Sequence, residues 1–377
     1  IKFQCDVDAI PEGTPVFPQE PLLRIQGPVI QCQLLETALL NMLNFQTLIA
    51  TKAARVCQAA KGDSVIEFGL RRAQGFDGGL AASRAAYIGG CSSTSNVLAG
   101  KLFGIPVKGT QAHSWVMFFD DELEAFQKYA KAMPNNSIFL VDTYDSLEGV
   151  KNAVEAGKWL QANGHKMVGI RLDSGDLASL SQRARKLLDD AGFKDAVIVA
   201  SNELDERAIE ELKKKGSQIN VWGVGTKLVT GFDQPALGGV YKLAAAKDEK
   251  GNWKRRFKIS EEVYKSSDPG IKQVRRFFQD GKAIADVIYD VEKGIGASCS
   301  AVEAEGAKAR EVKGDGKAAD LLVPVFRKGK LVYNLPSIHE ARKSTQENLV
   351  MLKQPYFVGI ERLLYNLSKE KMLKTRG

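Results

Sequence analysis

The sequence predicts an α/β fold in which an α/β barrel carries a second, β-rich (α+β) domain built from both chain ends. Short apolar runs alternate with helical patterns through the middle of the chain, at intervals of about 20–30 residues, which is typical of parallel βα units. Polar residues cluster where these apolar runs stop. On both flanks, short apolar pieces are broken by Pro, Gly and hairpin turns, which is typical of antiparallel strands.

Changes in this pattern predict five segments along the chain. Residues 1–28 and 246–336 are the two parts of the β-rich domain, and residues 29–61 form a linking helix. Residues 62–245 form the barrel domain, and residues 337–377 form a C-terminal helical segment with a break at one proline. Within the second β-rich part, hairpins are predicted around "DEKGN", "QDGK" and "RKGK".

The strands of the middle region are near-continuous apolar runs, as expected for a parallel sheet that is buried on both faces. A doubly wound open sheet would show the same alternation of strands and helices. We favour the barrel because at least six strand candidates occur and no G-x-G-x-x-G fingerprint does. In either architecture the ligand site lies at the carboxyl ends of the strands. The strands that repeat this pattern most clearly lie in "SIFLVDTYDS", "KMVGIRLDSGD", "DAVIVASNELD" and "QINVWGVGTKLVTG".

The composition indicates a globular protein of a reducing compartment. Of the 377 residues, 44% are apolar and 26% are charged, and no apolar run approaches the ~20 residues that span a bilayer. The five cysteines are widely spaced and odd in number, which argues against a disulfide framework or a zinc site. The first residues lack a signal-peptide pattern. We therefore expect a cytoplasmic protein with no membrane partner.

The net charge of +8 is a mild excess, spread over helix faces and the C-terminus. A nucleic-acid reader would need a denser basic stripe with interleaved aromatic residues, so we expect no nucleic-acid partner. The same charge is compatible with an anionic small-molecule substrate.

His113, in "KGTQAHSWVMFF", is the first candidate for chemistry. A lone histidine between apolar runs is more often a packed structural residue. This one follows a Gly-Thr turn (Gly109 and Thr110) at the end of an apolar run, which is again a strand-end position. Histidine is also the side chain best suited to proton or phosphoryl transfer near neutral pH.

Three further stretches combine chemically useful residues, and each has a plain structural alternative. "RLDSGDL" places Arg171 and Asp173 at a strand end, while Ser174 or Asp176 serves to cap the following helix. "WGVGTKLVTG" is a Gly-rich turn at a late strand, suited to a phosphate or simply to a tight βα turn. "EFGLRRAQGFDGG" offers an aromatic ring beside two arginines, or a packed Phe beside surface arginines.

Taken together, seven segments resemble those of nicotinate phosphoribosyltransferases, and the resemblance runs over nearly the whole chain. Their order and spacing carry the resemblance, because no single segment would suffice. The segments are "EFGLRRAQG", "CSSTSNVLAG", "KGTQAHSWVMFF", "LVDTYDS", "GIRLDSGDL", "VASNELDE" and "WGVGTKLVTGFDQPALGGVYKL". The resemblance implies a type II phosphoribosyltransferase with an irregular TIM-like α/β barrel and a β-rich second domain.

The resemblance also implies a reaction. Nicotinate joins the ribosyl C1 of phosphoribosyl pyrophosphate (PRPP), releasing pyrophosphate and giving nicotinate mononucleotide for NAD biosynthesis or salvage. ATP hydrolysis drives the reaction through a phosphohistidine, which the "GTQAH" match puts at His113. The implied partners are nicotinate, PRPP and ATP as co-substrate, with Mg²⁺ as cofactor, in a homodimer with shared active sites.

The implied residue roles follow the same motifs. Phe68 stacks on the pyridine ring, Arg71 lies close to it and pairs the carboxylate, and Ser95 stands where nicotinamide-using relatives carry an aspartate. Asp142 and Asp173 hold ribose hydroxyls or Mg²⁺, and Arg171 contacts phosphate. Gly223, Gly225 and Thr226 cradle the ribose 5′-phosphate, with Ser201 and Asn202 near the ribose.

Two other interpretations stay open at this point. A nicotinamide- or quinolinate-using phosphoribosyltransferase would share much of this pattern. Ser95 argues against a nicotinamide-using enzyme, and the motif order over nearly the full length argues against a quinolinate-using enzyme. An inactive barrel acting as a binding protein is the alternative outside enzymes. Members of the family usually open with a helical "Y-x-LTM" segment whose tyrosine completes the neighbouring subunit's site, and we expect that segment to precede residue 1.

Overall fold

The computed structural model describes residues 2–258, 267–303, 308–362 and 364–366. The helices are α1 Val29–Leu34, α2 Glu36–Ala59, α3 Gly75–Ile88, α4 Val97–Phe103, α5 His113–Met117, α6 Glu122–Ala132, α7 Ser146–Ala162, α8 Leu177–Asp190, α9 Glu206–Lys214, α10 Thr226–Val229 and α11 Ile338–Met351. The strands are β1 Asp6–Ala9, β2 Leu23–Gln26, β3 Ser64–Glu67, β4 Ser93–Thr94, β5 Ile138–Leu140, β6 Gly169–Leu172, β7 Val197–Ala200, β8 Val221–Val224, β9 Ala245–Lys247, β10 Trp253–Arg255, β11 Lys272–Gln279, β12 Lys282–Asp290, β13 Ser298–Glu303, β14 Ala309–Lys313, β15 Ala318–Asp320, β16 Val323–Arg327, β17 Lys330–Leu331 and β18 Leu352–Glu361.

The chain divides into two compact units. The first of the two boundaries along the chain falls inside the long helix α2. The first consists of residues 1–42 and 238–377, and the second of residues 43–237. The second unit alternates strands and helices, whereas the first contains antiparallel strands from both ends of the chain. The predicted mixed α/β class is confirmed. The sequence-based segment limits remain predictions, and the residues predicted to form one linking helix are divided between α1 and α2.

The second unit is organised around a six-stranded parallel sheet in the order β4–β3–β8–β7–β6–β5. Its strands are nearly all buried, because apolar side chains cover both faces. Trp222 and Phe139 are among the largest fully buried side chains, and they share one core with residues of α2, α3, α7 and α8.

Aspartates begin the helices that follow three of these strands. Asp145 accepts hydrogen bonds from backbone amides at the start of α7, Asp176 does so for α8, and Asp205 for α9. Asp176 is therefore the N-cap of the "RLDSGDL" helix, which decides between the two capping residues that the sequence left open. The polar residues that lie between each strand end and these caps are therefore not needed for helix capping.

The first unit is built from two mixed or antiparallel sheets and a two-stranded ribbon. The sheet orders are β17–β16–β1–β2 and β14–β13–β18–β12–β11–β15, and β9 pairs with β10. The three predicted hairpins are confirmed, since β9 and β10, β11 and β12, and β16 and β17 each pair antiparallel.

The C-terminal region differs from the sequence prediction, which made residues 337–377 helical with one break. Helix α11 is present, but β18 then runs through Leu352–Glu361, parallel to β12 and antiparallel to β13. Pro355 prevents a helix from continuing, and the aromatic and β-branched residues after it fill an open position between two strands. Residues 363 and 367–377 lie outside the described residues. Among the helices that the structure describes, none combines the length and apolar character required to cross a bilayer.

A buried charge cluster lies in the first unit. Arg276, 3% exposed, donates two hydrogen bonds to Asp286, which also accepts from Tyr356 Oη at 2.9 Å. Glu20 accepts from Phe17 N at 2.9 Å, while its Oε1 is buried without a hydrogen-bond partner among the described residues. Burial, and then the nearby Asp286 charge, raise the pKa of Glu20 from 4.5 to about 9.

We predict that Glu20→Gln stabilises the protein in mildly alkaline solution. The pKa of Glu20 in the folded protein lies above the ordinary value of 4.5. The contribution of Glu20 to the free energy of unfolding is therefore fully present below about pH 4.5 and is lost as the pH rises towards 9. The amide removes the titration, so urea unfolding at pH 8 should show a gain of at least about 1 kcal/mol in the free energy of unfolding. Glu249→Gln, at an exposed position of the same unit, is the control. A gain that is the same at pH 5 and pH 8 would contradict this account.

Candidate active site

The Arg171 guanidinium joins the ends of neighbouring strands in the second unit. It projects from β6 and donates from Nε to Ser201 Oγ at 2.7 Å, just beyond β7. Its Nη1 donates to Thr110 Oγ1 at 2.9 Å, and its Nη2 donates to Asp173 Oδ1 at 2.8 Å. One planar cation therefore holds three separate segments through a rigid set of donors.

Asp173 is the second member of this network. Its Oδ1 accepts from Ser201 Oγ as well as from Arg171, and its Oδ2 lies 3.7 Å from His113 Nε2. Burial raises the pKa of Asp173, but the hydrogen bond from Ser201, together with the charge and hydrogen bond of Arg171, outweighs it. The net effect is a pKa below the usual value, so the carboxylate is ionised at neutral pH.

His113 is the first residue of α5, where its ring is held between two polar groups. Its Nδ1 lies 3.1 Å from Thr143 Oγ1, and its Nε2 faces Asp173. The side chain is 40% exposed, so it is both oriented and reachable. These features distinguish it from a packed core histidine. The geometry therefore favours the functional interpretation over the structural one.

Asp142 reaches the same network from the end of β5. Its Oδ2 accepts from Asp173 N at 2.9 Å and from Ser174 Oγ at 2.5 Å. Its Oδ1 is buried and has no hydrogen-bond partner among the described residues. A buried carboxylate oxygen without a partner is unfavourable, which makes Asp142 the best-placed group here to receive a cation or a ligand hydroxyl.

The Phe68 ring lies beside this polar network. The Arg171 Cζ is 5.5 Å from the ring centroid, within cation–π range. A Cβ on Gly223 would lie 2.7 Å from Cδ2 and Cε2 of Phe68, so only glycine leaves room for the ring there. The glycine of the predicted phosphate turn therefore also determines where the aromatic ring lies.

The remaining predicted site residues have fewer ties to the network. Ser95 N donates to Glu67 O at 2.9 Å, next to Phe68. Arg71 is exposed in the short turn Leu70–Arg72, and Asn202 is exposed with φ of 94° directly after Ser201. Among the hydrogen bonds and ion pairs of the described residues, none joins Arg71 to the Arg171 network. Gly109 precedes Thr110, and Gly225 and Thr226 follow the end of β8.

Sequence reasoning missed three residues that shape this region. Ser174 bonds Asp142 and Thr143 bonds His113, and each stands next to a predicted site residue in its motif. Glu67 is 1% exposed and accepts hydrogen bonds from Gly69, Ser83 and Thr94. A glutamate at the end of an apolar strand was the available signal for Glu67, since carboxylates are rarely buried without partners.

The two predicted metal-binding carboxylates differ in their fit to Mg²⁺. Among the described residues, no group of three or more His, Cys, Asp or Glu side chains forms a metal cage. Mg²⁺ usually takes one or two carboxylates, substrate phosphates and water, so a complete protein cage is not required. Asp142 fits this role through its unpartnered oxygen, whereas Asp173 is already bonded to Arg171 and Ser201.

Comparison with known proteins agrees with these motifs. The model of the "Nicotinate phosphoribosyltransferase (NAPRTase) family" matches residues 64–282, more than half of the chain. The chain belongs to the nicotinate phosphoribosyltransferase family. Models of the N-terminal and C-terminal domains of nicotinate phosphoribosyltransferase match residues 1–44 and 271–367.

Individual relatives cover most of the chain. A nicotinate phosphoribosyltransferase of Bacillus subtilis (strain 168) is 45% identical over 352 residues, which is 92% of this chain and 71% of that protein. The human protein of that name is 35% identical over 407 residues, covering 93% of this chain and 75% of its own length.

Solved structures show the same family fold. The crystal structure of human nicotinic acid phosphoribosyltransferase matches with a TM-score of 0.82 and 31% identity, covering 98% of this chain and 82% of that one. A nicotinate-nucleotide pyrophosphorylase from Pyrococcus furiosus matches with a TM-score of 0.71 and 26% identity, covering 93% and 82%.

We predict that Gly223→Ala destabilises the second unit. The added methyl group would overlap the Phe68 ring, and overpacking of this kind lowers the free energy of unfolding by about 1–3 kcal/mol. Urea unfolding measures the loss, and Gly78→Ala is the control because its Cβ would meet no atom within 4 Å. An unchanged stability for Gly223→Ala would mean that Phe68 is not held against β8.

Proposed function

We propose that this chain is a nicotinate phosphoribosyltransferase that forms nicotinate mononucleotide and pyrophosphate from nicotinate and PRPP, in NAD biosynthesis or salvage. The observation that carries the proposal is the network that joins Arg171 and Asp173, at the carboxyl end of β6, to His113 at the start of α5. It combines an anion-binding cation, an ionised carboxylate and a reachable imidazole. The names of the relatives supply the substrate pair.

The proposed transfer moves positive charge onto the sugar and negative charge onto the leaving group. The C1–oxygen bond to pyrophosphate breaks as the pyridine nitrogen bonds to C1, so the ribosyl ring passes through an oxocarbenium-like state. A site for this reaction must position the ring nitrogen and stabilise the departing anion. Arg171 is suited to the anion, and the carboxylates of Asp142 and Asp173 are suited to the ribose hydroxyls.

For the pyridine ring, we propose stacking on Phe68 and pairing of the carboxylate with Arg71. The half-buried Phe68 ring and the exposed guanidinium of Arg71 follow one another in the same loop, which supports a shared ligand. Ser95 bonds the last residue of β3, directly before Phe68. A serine there would not repel a nicotinate carboxylate, whereas an aspartate would favour the neutral amide.

We propose that the end of β8 and the turn after it cradle the ribose 5′-phosphate through Gly223, Gly225 and Thr226. Two glycines leave the backbone amides of this turn free to approach an anion closely. Ser201 and Asn202 follow the adjacent strand β7, which supports a proposed role beside the ribose.

We propose Mg²⁺ as the cofactor, held by Asp142 and, when its partners release it, Asp173. The ion would neutralise charge on the pyrophosphate oxygens. The unpartnered Asp142 Oδ1 supports this assignment. Among this chain's own residues, Ser174 and the Asp173 amide orient the Asp142 carboxylate through its other oxygen.

We propose that ATP hydrolysis is coupled to the reaction through phosphorylation of His113. With its proton on Nδ1, the ring donates to Thr143 and keeps the Nε2 lone pair for attack on the γ-phosphorus, releasing ADP. Water then hydrolyses the phosphohistidine to phosphate. The 40% exposure of the His113 side chain supports this role, because ATP must reach the ring.

We further propose that the sheet of the second unit is an irregular TIM-like barrel. Beside the edge strand β4, Thr94 N donates to Pro106 O at 3.0 Å. The same segment, residues 106–111, ends at Gln111. In its hydrogen-bonded orientation, the Gln111 side-chain amide donates to Ile138 O at 2.7 Å and accepts from Leu140 N at 3.1 Å, and both of these residues belong to the other edge strand, β5. A segment that bonds both edge strands supports closure of the sheet.

A cytoplasmic homodimer with shared active sites is part of the same proposal. Large apolar side chains are exposed on α4 and at the end of α5, including Leu98, Leu102 and Phe118, the last at 81% exposure. Exposed apolar residues that lie close together along the chain are typical of subunit interfaces.

Radiolabelling with γ-phosphate ATP tests the catalytic proposal. We predict an acid-labile, base-stable label on the protein and its loss in His113→Ala. ATP should accelerate the formation of nicotinate mononucleotide from nicotinate and PRPP in the wild type but not in His113→Ala. Thr143→Val should retain the fold and weaken labelling, because Nδ1 loses its partner. His165→Ala, at a half-buried histidine whose ring bonds Asn135, is the matched control.

Three outcomes would overturn parts of this proposal. A label that persists in His113→Ala would exclude the phosphohistidine at this residue. Preference for nicotinamide or quinolinate over nicotinate would overturn the substrate assignment. Binding of substrates without any product would favour an inactive barrel that acts as a binding protein.

A further inference from the structure

Glu67 is the most completely bonded buried carboxylate beside the candidate site, and none of the proposed catalytic steps uses it. It ends β3 and is only 1% exposed. Oε1 accepts a hydrogen bond from Gly69 N, while Oε2 accepts from Ser83 Oγ at 2.8 Å and from Thr94 Oγ1 at 2.6 Å. All three partners are neutral donors, so the carboxylate is held by oriented hydrogen bonds.

These bonds connect two loops that flank the ends of strands β3 and β4. Gly69 belongs to the loop that follows Phe68 and leads to Arg71, and Thr94 immediately precedes Ser95. The backbone carbonyl of Glu67 also accepts from Ser95 N at 2.9 Å. The same residue therefore bonds one loop through its side chain and the other through both its side chain and its backbone.

Neighbouring residues continue the connection. Asn96 N donates to Thr94 Oγ1 at 3.0 Å, and Asn96 Nδ2 donates to Ser83 Oγ at 3.2 Å. Asn96 Oδ1 accepts from Ala99 N and so caps α4. Both hydroxyls therefore accept from Asn96 and donate towards Glu67 Oε2, and Ser83 Oγ has Gly79 O at 2.9 Å as a second acceptor.

The Gly69 position restricts the loop further. A Cβ at Gly69 would lie 2.5 Å from Val229 Cβ and 3.0 Å from Glu67 Oε1. The loop between Phe68 and Arg71 is therefore fixed on one side by α10 packing and on the other by the Glu67 carboxylate. Displacing the carboxylate would release the loop on that side.

We propose that Glu67 is a positioning residue for substrate selection, which holds the Phe68–Arg71 loop and Ser95 at a fixed separation around the pyridine ring. The inference rests on the proposed nicotinate phosphoribosyltransferase function. Glu67 contacts no substrate in this account. It acts through three groups that do, and it has no path to the PRPP-binding residues Arg171 and Asp173 among its hydrogen bonds.

A purely structural role predicts a different result from a positioning role. Loss of stability lowers the amount of active enzyme and changes kcat for every substrate alike. Loss of positioning raises KM for nicotinate and reduces discrimination against nicotinamide, while KM for PRPP stays constant. The KM values and the ratio of the two kcat/KM values therefore separate the roles.

Glu67→Gln tests the proposal because the amide keeps the size of the side chain but places an NH₂ group against donors. We expect KM for nicotinate to rise about tenfold, and the nicotinate-to-nicotinamide ratio of kcat/KM to fall by a similar factor. KM for PRPP should change by less than about twofold. Ser181→Ala is the control, because it removes a buried hydroxyl of the same unit that bonds Ala178 O and Gln218 N, outside this network.

A second pair of variants applies if Glu67→Gln fails to fold. Thr94→Val removes one donor to Glu67 without changing side-chain volume, and Thr94→Ser restores it. We expect Thr94→Val to raise KM for nicotinate and Thr94→Ser to return it towards the wild-type value.

Equal changes in both KM values, or an unchanged selectivity ratio in an active Glu67→Gln enzyme, would overturn the inference and leave the proposed function standing. A wild-type protein that forms no product from nicotinate would overturn the proposed function, and this inference with it.

Discussion

The Arg171 guanidinium is the interaction on which the candidate site depends. It is attached to a central strand, is half-buried, and divides its donors among Ser201, Thr110 and Asp173. Asp173 in turn contacts His113 and, through its backbone amide, Asp142. Replacing the guanidinium by a smaller cation would leave several of these groups without partners, because one guanidinium bonds three of them at once.

The two units keep buried charges by different means. In the second unit, the Asp173 carboxylate stays ionised because the hydrogen bond from Ser201 and the Arg171 charge offset its burial. In the first unit, Arg276 and Tyr356 both bond Asp286. Burial, and then the nearby Asp286 charge, raise the pKa of Glu20, so this carboxyl group is kept protonated instead. The first arrangement leaves a charged, partly open site suited to a ligand, whereas the second is closed and contributes to the fold.

The sequence predicted much of the site because parallel βα repetition brings the strand ends to one edge of a sheet. Asp142, Asp173 and Ser201 each follow a buried strand and Arg171 lies near the end of one, and the structure connects them by hydrogen bonds. The orientation of His113 was not predictable, because it depends on Thr143, which lies 30 residues away in sequence.

The missed features share a physical cause. Glu67 is stabilised by donors from Ser83 and Thr94, which sequence pattern does not place beside it. Strand β18 was taken for helix because its pairing with β12 and β13 is a long-range interaction that overrides local propensity. Patterns report burial and periodicity, whereas the partners of a buried polar group are determined by tertiary structure.

The binding of PRPP to Arg171→Lys, followed by isothermal titration calorimetry, tests the central claim most directly. A lysine is a point charge and cannot reproduce the planar set of donors, so we predict a Kd at least about tenfold weaker than that of the wild type, or about 1.4 kcal/mol. Arg185→Lys is the matched control, because Arg185 also bonds three partners in the second unit, namely Asp189, Phe193 and Ala196. A Kd for Arg171→Lys within about twofold of the wild-type value would contradict a PRPP site centred on this guanidinium.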